Sequence, residues 1–114
     1  MVGDPPAGDD LVHVLRSLAN PHRMRIVAAL AGDRSYVSQL ARTLGISRAL
    51  LQVHLRKLES AGLVSARLEL SPDGKAMKFY EVTPFAFHLT PQSVADAART
   101  LSEPEGAVEQ RGPQ

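Results

Sequence analysis

The chain has 114 residues, enough for one domain with a single hydrophobic core but not for two. Apolar residues make up 44% and charged residues 22% of the chain, which excludes a protein that is disordered throughout. No apolar run approaches the roughly 18 residues of a membrane-spanning helix, and no basic segment leads into an apolar one at the start, so we expect a cytoplasmic protein. The absence of cysteine excludes disulfides, thiolate metal sites and a cysteine nucleophile.

The net charge of +1 conceals a segregation of charge along the chain. Residues 16–80 contain eleven Lys and Arg but four Asp and Glu, whereas the flanking residues contain two basic and eight acidic ones. A basic middle is typical of proteins that bind polyanions, although basic residues on solvated helix faces give the same pattern. The placement of the basic side chains therefore decides between the two interpretations.

Both ends of the chain are rich in Pro, Gly and acidic residues. We therefore predict disordered tails over residues 1–10 and 102–114, with a folded domain over residues 11–101 between them.

Apolar spacing and capping residues predict four helices in the first part of this domain. The first helix follows the capping candidates Asp9 and Asp10. The second begins with Asn20 as its N-cap and Pro21 at its first position, and the third is capped by Ser35.

A very short turn separates the third and fourth predicted helices. Gly45 has the position of a left-handed residue at the end of the third helix, and Ser47 caps the fourth. From Val64 the apolar period becomes alternating, and an Asp-Gly turn then precedes a second run of strand formers, which predicts a β-hairpin. A last helix begins after the cap Thr90. The predicted fold is mainly α with a β-hairpin wing, a winged helix-turn-helix of five helices and two strands.

The fourth helix has two chemically different faces on a helical wheel. Leu51, Leu55 and Leu58 form the apolar centre of one face, with Leu50 and His54 beside them. The opposite face is suited to DNA, because Arg and Gln can bind guanine and adenine edges while small apolar side chains can contact thymine methyl groups. Its residues are Arg48, Ala49, Gln52, Val53, Arg56 and Lys57.

A solvated polar face is the commoner explanation of this pattern in an isolated helix. Basic residues elsewhere in the chain favour the DNA-binding interpretation, because they would flank the same groove and contact phosphates. They are Arg42 on the preceding helix and Arg67, Lys75 and Lys78 on the hairpin. For Lys75, an ordinary β-turn with an incidental lysine is an equally good explanation.

Three blocks of the sequence carry a family resemblance. They are Leu18–Ile26 (LANPHRMRI), Gln39–Ser47 (QLARTLGIS) and His54–Val64 (HLRKLESAGLV). Together and in this order they resemble the ArsR/SmtB family of small bacterial metal- and stress-responsive repressors, over about residues 11–101. The resemblance implies a homodimer, formed through the first and last helices, that binds twofold-related operator DNA with the helix Ser47–Ser60 in the major groove.

The resemblance also implies which residues contact DNA. Arg48, Gln52 and Val53 are carried over as base-facing residues. Because the family often has other residue types at positions 50, 52 and 53, we expect a different operator sequence from those of relatives. The full set of expected DNA contacts is Arg42, Ser47, Arg48, Gln52, Val53, Arg56, Lys57 and Lys75.

The chain has neither the thiolate pair nor the Asp-x-His set of the family's best-known metal sites. Of its four histidines, His22 and His54 lie in the resembling blocks and are interpreted as structural. If the first and last helices meet across the dimer, Asp9, Asp10 and His13 of one subunit would approach the last helix of the other. Such nitrogen and oxygen ligands suit Ni(II) better than tetrahedral zinc. The candidate ligands are His13, His88 and Asp96, and incidental histidines are the alternative.

We therefore expect a DNA-binding transcription regulator whose partners are operator DNA, a second copy of the chain and, as a further candidate, a second regulatory protein. The alternative is a protein-interaction module whose sensing is done by a partner, and a shallow salt dependence of DNA affinity would favour it. An enzyme is rejected, because no acid, base and nucleophile converge at a usable spacing and no glycine-rich phosphate loop is present.

Overall fold

The structure, a computed structural model, describes residues 6–102 and has the architecture of a winged helix-turn-helix. The five predicted helices and the hairpin are confirmed, and a third, short strand joins them. The elements are α1 (Gly8–Leu18), α2 (Pro21–Gly32), β1 (Ser35–Tyr36), α3 (Val37–Leu44), α4 (Arg48–Ser60), β2 (Val64–Leu70), β3 (Ala76–Val82) and α5 (Pro91–Ala98). No helix among the described residues is long and apolar enough to cross a membrane. Of the tails predicted for residues 1–10 and 102–114, residues 1–5 and 103–114 lie outside the described residues.

The three strands form an antiparallel sheet in the order β1-β3-β2. In the hairpin, Val64 pairs with Val82 at the base and Leu70 pairs with Ala76 at the tip. The two-residue strand β1 is added at the other edge, where Ser35 pairs with Tyr80. A strand of two residues is too short to show an alternating pattern, so the sequence did not indicate it.

The predicted cap of α3 is wrong. Ser35 pairs with β3 instead, and α3 begins at Val37 with Tyr36 as its N-cap and no capping side chain. The Ser35 hydroxyl donates to Gln39 Oε1 at 3.2 Å and lies 3.3 Å from the Tyr36 carbonyl oxygen. Sheet pairing therefore outweighs the local capping preference at this position.

The predicted start of α1 is also wrong. The helix begins at Gly8 and not after Asp9 or Asp10, so residues 8–10 belong to α1 and not to a tail. The Gly8 N–H donates to Thr100 Oγ1 at 2.7 Å, and the Asp9 carboxylate accepts hydrogen bonds from the backbone and side chain of Ser102. The first contact gives the Gly8 N–H an acceptor, and the second joins α1 to the residue after α5. Neither partner is close in sequence, so local sequence does not indicate these contacts.

Three local capping predictions are confirmed. Asn20 caps α2 by accepting from the His22 and Arg23 N–H groups at 2.8 and 3.2 Å. Ser47 caps α4 by accepting from the Leu50 N–H at 3.0 Å. Thr90 caps α5 in a reciprocal capping box.

The hydrophobic core lies between the helices and the sheet and holds α3 and α4 against the hairpin. Its fully buried side chains come from α2, α3, α4, the α4–β2 connection and β3. They are Ile26, Leu40, Leu51, Leu55, Leu58, Leu63 and Tyr80. Because cores pack closely, this arrangement fixes the direction in which the outer face of α4 points.

Candidate nucleic-acid interface

The helix-turn-helix is closed by a tight turn between α3 and α4. Gly45 has a left-handed backbone with φ of 69°, and its N–H donates to the carbonyl oxygens of Ala41 and Arg42 at 2.8 and 3.3 Å. A residue with a side chain would be strained in this conformation. Two residues later Ser47 starts α4, so the turn sets α4 against α3 without a flexible linker.

The buried face of α4 matches the prediction. Leu51, Leu55 and Leu58 are fully buried, and His54 beside them is 7% exposed. Leu50, the other residue on the flank, is 38% exposed. The helix is therefore held by one face, and the other face is available for a ligand.

The opposite face of α4 is polar, basic and exposed. Gln52 is half-buried, and the rest of the predicted base-facing and phosphate-facing residues of the helix are exposed. The ion pairs among the described residues all lie on other elements, so no carboxylate within residues 6–102 forms an ion pair with the cations of this face. The exposed members are Arg48, Val53, Arg56 and Lys57.

The remaining predicted DNA contacts lie on either side of α4. Arg42 is exposed on α3, and Lys75 is exposed in the turn at the tip of the hairpin. The Ser47 oxygen accepts the capping hydrogen bond from the Leu50 N–H, which leaves the hydroxyl proton available to donate. The structure thus brings Ser47 together with the α4 residues, while Lys75 belongs to a separate projecting element.

The hairpin register places Arg67 and Lys78, both expected to flank the groove and contact phosphates, on opposite faces of the sheet. Arg67 pairs with Phe79 and Lys78 pairs with Leu68, and neighbouring residues of a strand point to opposite faces of the sheet. Arg67 therefore lies on the face away from Lys78, where it forms an ion pair of 3.1 Å with Glu81.

One side chain that helps to position the wing has no signal in the sequence. Arg34, between α2 and β1, forms two hydrogen bonds to the carboxylate of Glu69 on β2. Its guanidinium also lies 4.5 Å from the centroid of the Phe79 ring. These hydrogen bonds lower the pKa of Glu69. The pair is 35 residues apart in sequence, so only the fold shows that it ties the wing to the segment before α3.

A second connection links α4 to α1 and α2. Arg23 Nη1 lies 3.1 Å from His54 Nδ1, and Arg23 Nε donates to the Ser17 carbonyl oxygen at 2.6 Å. The His22 ring lies beside the His54 ring, with 5.1 Å between the centroids. Burial lowers the pKa of His54, and the charges of Arg23, His22 and Lys57 lower it further.

The candidate metal ligands have separate surroundings in one chain. His13 Nε2 lies 3.3 Å from Ser60 Oγ, and Asp96 accepts a hydrogen bond from Gln92 at 2.9 Å. His88 is exposed in the segment before α5. Within residues 6–102 of a single chain, no three His, Asp or Glu side chains are grouped closely enough to hold a metal ion. One chain alone therefore does not fit the expected site.

Comparison with known proteins identifies the central part of the chain as a helix-turn-helix domain, with residues 18–66 matching the family profile of that description. An uncharacterised HTH-type transcriptional regulator of Methanocaldococcus jannaschii is 35% identical over 80 residues, which cover 70% of this chain and 83% of that protein. The HTH-type transcriptional regulator CmtR of Mycobacterium tuberculosis is 42% identical over 59 residues. That match covers 52% of this chain and 50% of CmtR, so the matched region is about half the length of that relative. These relatives are transcriptional regulators and not enzymes.

Solved structures have the same architecture. The homodimeric winged helix-turn-helix DNA-binding domain of a possible ArsR-family regulator from Mycobacterium bovis superposes with a TM-score of 0.59 at 27% identity, covering 80% of this chain and 70% of that one. Reduced HlyU from Vibrio cholerae gives a TM-score of 0.57 over 93% of this chain and 92% of its own, and at 23% identity it supports the fold alone.

Proposed function

Because the chain belongs to the family of helix-turn-helix transcriptional regulators, we propose that it is a homodimeric, sequence-specific DNA-binding regulator of the ArsR type. The observation that carries this proposal is the outer face of α4, where Arg48, Val53, Arg56 and Lys57 are exposed and no carboxylate among the described residues pairs with the cations. A free basic face on the second helix of a helix-turn-helix has the chemistry needed in the major groove.

Two kinds of contact are expected from this face. Arg48 and Gln52, in the first turns of α4, have the donor and acceptor groups that read guanine and adenine edges, and Val53 can contact a thymine methyl group. Arg56 and Lys57 lie further along the helix and are assigned to phosphates, as is Lys75 in the wing turn. The phosphate contacts would supply affinity, and the base contacts would supply specificity.

A second copy of the chain is the proposed protein partner. Val12 and Leu15 on α1 are 38% and 39% exposed, and Val94 on α5 and Leu101 just after it are 49% and 46% exposed. These two helices pack against each other within the chain, so their exposed apolar side chains provide a surface for a twofold-related copy. The homodimeric neighbour from M. bovis supports this arrangement.

The two kinds of DNA contact can be separated by mutation. With a duplex selected by the wild-type protein from a random library, we expect Gln52→Ala to reduce the preference over a scrambled duplex by about 1–3 kcal/mol. Arg56→Ala should weaken binding to both duplexes equally and reduce the slope of log affinity against log salt by about two, one for each copy of Arg56 in the dimer. Fluorescence anisotropy at several salt concentrations measures both quantities.

The control is Arg25→Ala, which removes an exposed cation from α2 and leaves α4 unchanged. We expect it to preserve the discrimination between the two duplexes. If the Gln52 and Arg25 variants discriminate equally well, α4 does not read the bases and the proposal is wrong.

A response to a metal ion such as Ni(II) is part of the same proposal and depends on the second subunit. Since one chain does not group the ligands, His13 of one subunit would have to meet His88 and Asp96 of the other. We expect replacement of both His13 and His88 by Ala to abolish the heat of nickel binding in titration calorimetry. Unchanged heat would leave sensing to another ligand or to a second regulatory protein.

A further inference from the structure

A chain of hydrogen bonds connects three helices through the buried side of α4. Arg23 is its centre, with Nε donating to the Ser17 carbonyl oxygen of α1 at 2.6 Å and Nη1 lying 3.1 Å from His54 Nδ1 of α4. Ser17 and His54 are only 5% and 7% exposed. Both hydrogen bonds are partly buried, and a charge-assisted hydrogen bond with reduced access to water is stronger than one at the surface.

The donors and acceptors of this bridge define the state of His54. A guanidinium group carries hydrogen-bond donors and no acceptor, so His54 Nδ1 has to accept. The imidazole is then neutral, with its proton on Nε2. At the other end, the Ser17 carbonyl lies in the last turn of α1, where a carbonyl lacks an intrahelical partner and a cation is favourable. Arg23 thus joins the end of α1 to the inner face of α4.

We propose that Arg23 and His54 are positioning residues that hold the reading helix α4 in register with α1, and that the DNA-binding geometry requires His54 to be neutral. The inference rests on the proposed function, because α1 contributes to the proposed dimer surface and α4 is the proposed reading helix. A change in their relative position would alter the distance between the two reading helices of a dimer, which has to match half-sites about one helical turn apart.

Protonation breaks the bridge. A protonated imidazole has no acceptor for Arg23, and it places a second positive charge about a hydrogen-bond length away. The titratable groups that act on His54 are Arg23 and His22 of α2 and Lys57 of its own helix, and all are basic. Among the described residues of α1, α3 and β2, which also pack around α4, no titratable group shifts the His54 pKa. Nothing near the imidazole therefore stabilises its charged form.

Breaking the bridge should change DNA affinity on acidification in the opposite direction to that expected from net charge alone. Acidification makes a protein more positive, which by itself should strengthen binding to phosphates. Loss of the bridge should weaken binding instead. Because the folded pKa of His54 is lowered, its contribution to the free energy of unfolding is fully present above the usual value of about 6.5 and is lost as the pH falls through the lowered value.

The test compares wild type with His54→Asn, which keeps an acceptor near the position of Nδ1 but cannot be protonated. Anisotropy with the selected duplex is measured from about pH 7.5 down to the pH at which nitrogen-15 spectra of wild type show a protonated Nδ1, and circular dichroism reports the folded fraction at each pH. We expect the affinity ratio of wild type to the Asn variant to fall by about threefold or more on acidification. The remaining histidines are shared, so the ratio isolates His54. A constant ratio would overturn the inference.

A second comparison tests the Arg23 side of the bridge. Arg23→Met and Arg25→Met remove the same charge from α2, but only Arg23 contacts His54. We expect Arg23→Met to weaken operator binding about fivefold or more relative to Arg25→Met, and equal affinities of the folded variants would contradict the inference. Nitrogen-15 spectra of the wild-type imidazole should show an unprotonated Nδ1 at neutral pH without DNA. Failure of wild type to bind any selected duplex would instead contradict the proposed function.

Discussion

Gly8 lies where the first turn of α1 meets α5 and has no room for a side chain. A Cβ atom built on Gly8 would lie 2.3 Å from the Ala97 carbonyl oxygen and 2.8 Å from the Leu101 side chain. The first of these contacts is with backbone, which cannot rotate away. Glycine is therefore required here by packing, since the residue is helical and has no positive φ.

At this residue, we expect Gly8→Ala to lower the free energy of unfolding by about 1–3 kcal/mol, because the cost of overpacking exceeds the gain in helix propensity. Gly32→Ala is the matched control, since it also replaces a helical glycine but has no atom within 4 Å of the added Cβ. It should raise stability by about 0.4–1 kcal/mol. Urea denaturation measures both, and a stabilising Gly8→Ala would show that α5 does not pack on α1 in this way.

In strand β2, the alternating apolar pattern does not predict which side chains are buried. Its alternating apolar residues point to one face of the hairpin, but Val64 is 2% exposed whereas Leu70 is 75% exposed. The sheet packs on the helices at its base, and the tip of the wing extends beyond them. The same apolar face thus belongs to the core at one end and to the surface at the other.

This difference predicts unequal mutational effects along one strand. We expect Val64→Ala to cost about 2 kcal/mol of unfolding free energy, from two lost methyl groups and the cavity that remains. Leu70→Ala removes more carbon but should change stability by less than about 0.5 kcal/mol, because the side chain is already in water. Thermal or urea unfolding measures the change in stability of both variants. A larger loss for Leu70→Ala would mean that the wing tip is covered.

The elements also show what the sequence can and cannot predict. The caps Asn20, Ser47 and Thr90 were predicted correctly because each bonds to backbone within three residues. The contacts of Gly8 with Thr100 and of Arg23 with His54 join residues 92 and 31 positions apart, so they follow from packing and have no local signal.

The same distinction between local and long-range features applies to the candidate site. The two faces of α4 were predicted because a helical wheel needs only the sequence of one helix. The separation of Arg67 and Lys78 onto opposite faces of the hairpin depends on the register between two strands, which the sequence of one strand does not give. Residues on one helix could be placed together, whereas residues on different elements could not.

At the scale of the whole molecule, α1 and α5 leave apolar side chains exposed on two helices that pack against each other. Val12 and Leu15 on α1 and Val94 on α5 are exposed although the two helices pack against each other. Exposed apolar side chains that cluster on neighbouring elements mark interaction surfaces. A twofold copy covering them would place two α4 helices for two half-sites, which is the arrangement proposed here.

We expect replacement of both Leu15 and Val94 by Glu to raise the dissociation constant of the dimer at least about tenfold, because the interface would then bury unpaired charges. Leu70→Glu on the wing is the control for adding a charge at an exposed leucine, and it should leave the dimer unchanged. Sedimentation equilibrium distinguishes the variants. A dimer that persists in the double variant would move the interface away from α1 and α5.

The most direct test of DNA recognition is the salt dependence of wild-type affinity for a selected duplex, measured by fluorescence anisotropy beside a scrambled duplex. We predict binding that is tighter to the selected duplex and falls steeply with salt, with a slope on the order of the number of basic side chains assigned to phosphates in the dimer. Equal affinity for the two duplexes, or a slope near zero, would contradict a regulator that reads DNA with α4 and would favour a protein-interaction module.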